Sequence, residues 1–215
     1  MKKQSILPFI KKINRLIFTT AELSAISGKS LSATVQSLNH LEKQGVILKI
    51  YRGIWAEANK SLSAYGIIPF LFPRHQAYLS FIGALHVYGI IEQIPQVITV
   101  ASISHTKEIA TKLGVFSVHQ ISHNFFKGFD WHKKKGDFLI AEPEKALIDC
   151  LYLAGYKKRQ FAYFPELYFP KTFSFNKADK WINDIPNPNV ASYARKKLRA
   201  IRRQAKIKPV SFRNS

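Results

Sequence analysis

The sequence predicts an α+β protein: a small N-terminal domain of helices closed by a hairpin, followed by a mixed α/β domain. Three observations lead there. Residues 6–56 pass from helical to strand periodicity in a set order; residues 58–63 are small, polar and aperiodic; and beyond them strand-like and helix-like segments alternate. A chain of 215 residues that is 47% hydrophobic can bury cores of this kind, with boundaries at 1–60 and 61–215.

In residues 5–17, apolar side chains at 6, 7, 9, 10, 13, 16 and 17 keep helical spacing, with Lys11, Lys12 and Arg15 on the other side. Thr19 and Thr20 suit the N-cap of a second helix with Leu23 and Ile26 inward, and Ser27-Gly28-Lys29-Ser30 makes a short turn. Ser30 caps a third helix, whose expected core stripe is Leu31, Val35, Leu38 and Leu41 and which stops at Gly45. Two short strands follow, 46–51 and 54–56, joined through Arg52-Gly53. Helix, helix, turn, helix and hairpin in this order predict a winged helix-turn-helix.

In the second half the pattern predicts a helix over 76–88, strands over 96–102, 115–122 and 137–141, and a helix opened by Glu142-Pro143-Glu144 that buries Ala146, Leu147, Cys150 and Leu151. A short helix capped by Asn176 and a strongly basic helix over 189–205 complete it, while the aromatic segment 161–175 has no clear period.

Charge bounds the partners. There are 33 Lys and Arg against 13 Asp and Glu, a net +20 that repels itself unless a polyanion or an acidic protein face offsets it. The excess is uneven: 10 basic and 3 acidic residues in 1–60, 7 and 4 in 61–140, 16 and 6 in 141–215. The single cysteine, Cys150, excludes an intrachain disulfide framework or a cysteine-built zinc site and fits a reducing cytoplasm. The start of the chain lacks signal-peptide features, and the longest apolar run, 77–91, falls short of the roughly 20 residues of a membrane span. The expectation is a cytoplasmic protein with no membrane partner.

A helix that reads DNA needs polar, mostly uncharged or basic residues opposite its core stripe. Opposite the expected stripe lie Ala33, Gln36, Ser37 and His40, with Ser30 and Ser32 at the helix start and Lys43 further on. Glutamine can pair bidentately with adenine, serine can donate to bases or phosphates, and alanine can meet a thymine methyl. Lys29 and the helix N-terminus suit a phosphate, and Lys49, Tyr51 and Arg52 on the hairpin suit the backbone or the minor groove. Glu42 is the only acidic residue of the helix. The competing reading is a protein-interaction module whose polar face is merely solvated.

Three segments resemble the AbiEi antitoxins of AbiE-type, type IV toxin–antitoxin systems: Phe18-Thr-Thr-Ala-Glu-Leu-Ser, Leu38-Asn-His-Leu-Glu-Lys-Gln-Gly-Val-Ile and Tyr51-Arg-Gly-Ile-Trp-Ala. Further on, Tyr78-Leu-Ser-Phe-Ile-Gly-Ala-Leu-His-Val-Tyr-Gly-Ile-Ile-Glu-Gln-Ile-Pro and Ile140-Ala-Glu-Pro-Glu-Lys-Ala-Leu-Ile-Asp are similar to two ordered blocks of the same family. The resemblance runs from about Phe18 to Leu153 and fades after Gly155. It implies an N-terminal domain that binds inverted repeats in its own promoter and a C-terminal domain that neutralises a nucleotidyltransferase-like toxin. It implies no catalytic residue and no cofactor. The alternative is a winged-helix regulator whose second domain senses a ligand or dimerises; a nucleic-acid enzyme is a third class, for which the sequence offers no nucleophile, metal cage or phosphate loop.

The remaining polar groups of the second half have ordinary readings. Glu142 and Glu144 complement a helix dipole, Lys145 pairs with Asp149 four residues on, and Asp149 reads as a surface position. His119 and His123, taken as strand residues, fall about 13 Å apart, too far for one metal ion. Phe125, Phe126, Phe129 and Trp131 beside Lys127 and Lys133–Lys135 read either as core or as a stacking surface for single-stranded bases. The last helix carries Arg195, Lys196, Arg199, Arg202, Arg203 and Lys206 around a narrow apolar stripe of Tyr193, Leu198, Ile201 and Ala205, a candidate contact for a DNA backbone or an acidic partner.

Overall fold

The computed structural model describes residues 5–132 and 137–207. The architecture is mixed α and β, and the chain falls into two compact units, Met1–Pro73 with Ala110–Gly114, and Arg74–Ile109 with Val115–Ser215.

In the first unit, helix α1 (Leu7–Ile13) is followed by strand β1 (Ile17–Thr19), α2 (Thr20–Ser27), α3 (Leu31–Lys43), β2 (Ile47–Tyr51), β3 (Ile54–Glu57) and the short α4 (Ile68–Leu71). The expected first helix over 5–17 is therefore too long. Ile17 and Phe18 leave helical geometry to pair antiparallel with Ala56 and Trp55, giving a three-stranded sheet in the order β1-β3-β2. Phe18, Leu23, Leu38, Leu41, Ile47 and Trp55 fill the core with Ile6 and Ile10. Trp55 meets its one polar need by donating from Nε1 to Thr20 Oγ1 at 2.9 Å, so the indole is buried at little cost. Ile26, expected inside, is 42% exposed.

The second unit holds a six-stranded mixed sheet, order β6-β7-β5-β4-β9-β8. Its strands are β4 (Ala77–Leu79), β5 (Ile98–Ser102), β6 (Lys107–Thr111), β7 (Gly114–Gln120), β8 (Phe129–Trp131) and β9 (Leu139–Ala141). Helices α5 (Phe81–Val87), α6 (Pro143–Gly155), α7 (Phe175–Asn183) and α8 (Pro188–Gln204) accompany it, and β10 (Tyr168–Phe169) pairs in parallel with β11 (Lys206–Ile207). The expected helix over 76–88 is split: Ala77–Leu79 is a strand between β5 and β9, and α5 begins only after Ser80. Phe81 makes that junction in the left-handed region, φ 57°, a conformation held by complete burial against His119 and Phe161. Gly155, the last residue of α6, lets α8 approach closely, because a Cβ there would lie 2.8 Å from Val190 Cγ1. Among the described residues no helix is long and apolar enough to cross a membrane.

Asp149 is not a surface residue. It is fully buried on α6, and its partner Lys145 is buried with it. The Lys145 ammonium donates to Asp149 Oδ1 and, at 3.1 Å, to the Tyr78 hydroxyl, which itself donates to Asp149 Oδ2 at 3.1 Å; Ser80 Oγ donates to the same oxygen at 2.7 Å. The ammonium also sits 3.9 Å from the centroid of the Phe125 ring. Burial pulls the lysine pKa down from its ordinary value, against the opposing pull of Asp149. Burial, helped by Asp149, likewise pushes the Tyr78 hydroxyl and the Cys150 thiol well up, so both stay protonated. A buried pair is stabilising chiefly relative to one broken partner. Asp149→Ala is expected to cost about 3–5 kcal/mol in urea denaturation, and the apolar double variant Lys145→Met/Asp149→Leu to be more stable than either single variant. Additive losses in the double variant would show that the pair is not coupled.

His119 is a further buried titratable group. It lies on β7, edge-on to the rings of Phe81 and Phe161, with Ser117 Oγ at 3.0 Å from its Nε2. Burial, and then the charge of Lys158, lower its pKa from 6.5 to about 4. A histidine depressed in the folded state binds its proton more readily when unfolded, so its stabilising contribution is complete above pH 6.5 and is lost as pH falls toward 4. At about 1.4 kcal/mol per pH unit this reaches about 3 kcal/mol. His119→Gln should flatten that part of the acid branch in stability measured from pH 7 to 4; an unchanged slope would remove His119 as its source.

Candidate nucleic-acid interface

Helix α3 is set in place by caps and by one buried stripe. Thr19 and Glu22 form a reciprocal capping box at the start of α2: the Thr19 hydroxyl accepts from Glu22 N–H at 3.1 Å, and Glu22 Oε2 accepts from Thr19 N–H at 2.8 Å. Arg15 pairs with the other carboxylate oxygen of Glu22. Partial desolvation, which would raise the Glu22 pKa, is outweighed by the bonds from Arg15 and Thr19, and the net shift is downward. At the start of α3 the Ser30 hydroxyl accepts from Ala33 N–H at 3.2 Å. Lys29, half-buried in the turn, accepts at its carbonyl a bond from Ser24 Oγ at 2.7 Å.

The stripe differs from the expected one. Thr34, Leu38 and Leu41 are buried, Val35 is half-buried, and Leu31 is 58% exposed. Thr34 goes inside because its hydroxyl is satisfied by Ser30 O at 2.9 Å, one turn back. At 3.6 residues per turn, exchanging Leu31 for Thr34 and moving Val35 to the edge of the stripe turns the core axis of α3 by about 40° and the outward face with it. The residues directly opposite the core are then Ser32, Gln36, Asn39 and Lys43, all exposed. Asn39 was missed in sequence because the assumed stripe placed it to one side.

The other expected residues lie on the flank. Ala33 is exposed; Ser37 is half-buried and spends its hydroxyl on Ala33 O at 2.9 Å; His40 is exposed with Nε2 at 3.1 Å from Gln44 Nε2. On the hairpin, Arg52 is exposed in the two-residue turn whose second position is Gly53, φ 75°, and Tyr51 is 39% exposed beside it. Lys49 is less available: half-buried, its ammonium lies 5.4 Å from the centroid of the Trp55 ring.

Glu42 would repel a phosphate chain if its charge were free. It is instead bound twice, by Lys112 Nζ at 3.2 Å and by the backbone N–H of Lys49 at 3.2 Å. Those contacts outweigh the desolvation that would raise its pKa, and the net shift is downward. The exposed face of α3 thus carries no uncompensated acid.

A second cationic surface lies in the other unit. Val190, Ala194 and Leu198, spaced by four, are buried on α8, while Tyr193 and Ile201 are half-buried. The apolar stripe begins earlier than Tyr193; Lys196, Arg199 and Arg203 stand exposed on the side away from it, Arg195 and Arg202 lie on the flank toward α7, and exposed Lys197 lies on the other flank. Arg195 is half-buried and donates to Asn183 Oδ1 at 2.7 Å, and the Arg202 guanidinium lies 5.7 Å from the Phe175 ring centroid. Lys206 is the first residue of β11.

Of the aromatics considered for base stacking, Phe125 is buried under Lys145, and Phe126 and Phe129 pack on Tyr78. Trp131 alone of the four is exposed, at 51%; Lys133–Lys135 lie outside the described residues. His123 is exposed in a short 3₁₀ turn and does not share a strand with His119. No protein-family model matches the chain, and no curated protein matches it in sequence.

Thr19→Ala removes half of the capping box that fixes the entry to α2. It is expected to lower stability by about 1 kcal/mol in urea denaturation, whereas Ser32→Ala, at an exposed site with no hydrogen-bond partner among the described residues, should change it by less than about 0.5 kcal/mol. Equal losses would mean that the box carries no weight.

Proposed function

We propose that the first unit is a winged helix-turn-helix that binds double-stranded DNA, and that the protein is the antitoxin of a type IV toxin–antitoxin system: it represses its own operon and neutralises a nucleotidyltransferase-like toxin. The observation that carries the DNA-binding half is the outward face of α3, where neutral polar side chains and Lys43 stand without a free acid, together with an exposed Arg52 on the hairpin. The order of elements and the β1-β3-β2 sheet support the winged-helix reading. The antitoxin half rests on the resemblance of the blocks at 78–95 and 140–149 to those of AbiEi proteins. The cations of α8 supply a surface for a DNA backbone or an acidic partner face.

Phosphate neutralisation releases condensed counterions, so affinity must fall as salt rises. The full-length protein should bind a duplex carrying the inverted repeats upstream of its own gene, with log affinity falling linearly against log salt. Arg52→Ala should reduce the magnitude of that slope by about 1. Absence of binding at low salt, or affinity flat with salt, would overturn the DNA-binding reading. The antitoxin reading is tested separately by co-expression with the neighbouring reading frame: growth rescue is expected, and a toxic neighbour left unrescued refutes it.

One feature favours the alternative of a ligand-sensing regulator. A cavity of about 460 Å³ in the second unit is lined by Tyr163, Phe164, Leu167, Phe169 and Ile201, with Glu166 and Lys197 as polar groups. A regulator of that kind would show operator affinity that changes with a small molecule and a neighbouring gene without toxicity.

A further inference from the structure

We propose that α3 recognises A·T base pairs, so that the half-site lying under this helix is A·T-rich. The inference rests on the DNA-binding reading and deepens it by naming the bases.

The outward face of α3 has a definite chemical bias. Gln36 and Asn39, both exposed and, among the described residues, held by no hydrogen bond, are carboxamides, the groups that pair bidentately with N6 and N7 of adenine. Three positions apart on a helix, they lie on the same side, within reach of neighbouring base pairs. At the N-terminal end of α3, where a recognition helix meets base edges, Ala33 on the flank and Leu31, which lies toward the core side but is exposed there, offer apolar surface of the kind that packs on the thymine 5-methyl group. Leu31 is 58% exposed, a position the core does not use.

The groups that read G·C pairs are absent from the face or occupied. The commonest reader of guanine is arginine, and α3 contains none. Its one carboxylate, which could accept from cytosine N4, is Glu42, bound by Lys112 and the Lys49 amide. The His40 ring nitrogen faces the Gln44 amide at 3.1 Å. Lys43 stands at the last residue of α3, where an ammonium complements the helix dipole and meets phosphate rather than base.

The experiment is selection of duplexes from a random pool by the full-length protein, followed by titration of the selected site with modified bases. The expected half-site is A·T-rich. Replacing its thymines by deoxyuridine, which removes only the 5-methyl group, should weaken binding of the wild-type protein and not of Leu31→Ser. Replacing adenine by 7-deazaadenine should do the same for wild type, and Gln36→Ala or Asn39→Ala should each relax the preference at one position by roughly 5- to 150-fold while leaving the salt slope unchanged. All three substitutions are at exposed sites, and unchanged thermal melting would verify the fold. Selection of G·C-rich half-sites, or base preferences unaltered by the three variants, overturns the inference and leaves DNA binding standing. Failure to bind any duplex at low salt overturns the DNA-binding reading itself.

Discussion

What the first unit can present to a partner depends on which residues of α3 the core takes. Leu38 and Leu41 must face Phe18, Leu23 and Trp55, and the third position of the stripe goes to Thr34 because its hydroxyl bonds to Ser30 O and leaves nothing polar unsatisfied inside. Every outward residue follows from that choice. Had Leu31 filled the position, the face would centre on Gln36 and His40, with Ala33 and Ser37 beside them and Asn39 turned to one side. With Thr34 inside, the face centres on Gln36 and Asn39.

The same accounting explains which charges are available. A net charge of +20 costs self-repulsion, and several of the acids near the candidate surfaces and in the core are held by cations. Glu22 is bound to Arg15 and Thr19, Glu42 to Lys112 and Lys49, Glu142 to Lys177, and Asp149 to Lys145. On α8, Lys196, Arg199 and Arg203 stand exposed on the side away from its docked stripe. Lys145 is the exception in kind. Its ammonium is enclosed by Asp149, Tyr78 and Phe125, so it tethers α6 to β4 and cannot serve a partner.

Elements stabilised locally were legible in the sequence, and those stabilised by distant pairing were not. The cap at Thr19, the cap at Ser30, the stop at Gly45, the turn at Arg52-Gly53 and Pro143 at the start of α6 are short-range signals, and each stands where the residues placed it. Strands β1 and β4 are three residues long and lie in apolar runs that also fit a helical period; what makes them strands is pairing with β3 and β5, which local periodicity does not record. Asp149 was misplaced for the same reason. A carboxylate on a helix reads as surface until Ser80, 69 residues away, is seen to donate to it. The candidate site was legible as a helix and a hairpin, but its exact face was not, since a threonine can be buried wherever a backbone carbonyl lies one turn behind it.

Under the proposed reading the two cationic surfaces do different physical work. Contacts between ammonium or guanidinium groups and phosphates depend on charge spacing and salt, and every sequence of duplex presents the same spacing. Arg52 and the α8 side chains can therefore raise affinity for all DNA without distinguishing an operator from the rest. Discrimination requires groups that lose a hydrogen bond or an apolar contact on the wrong base, and carboxamides and methyl-bearing side chains are of that type, with little attraction for phosphate. A recognition helix with few charges on its face is thus not a weakness in so basic a protein. Long-range attraction is supplied elsewhere on the chain, and the neutral face of α3 keeps that attraction from masking the difference between one base pair and another.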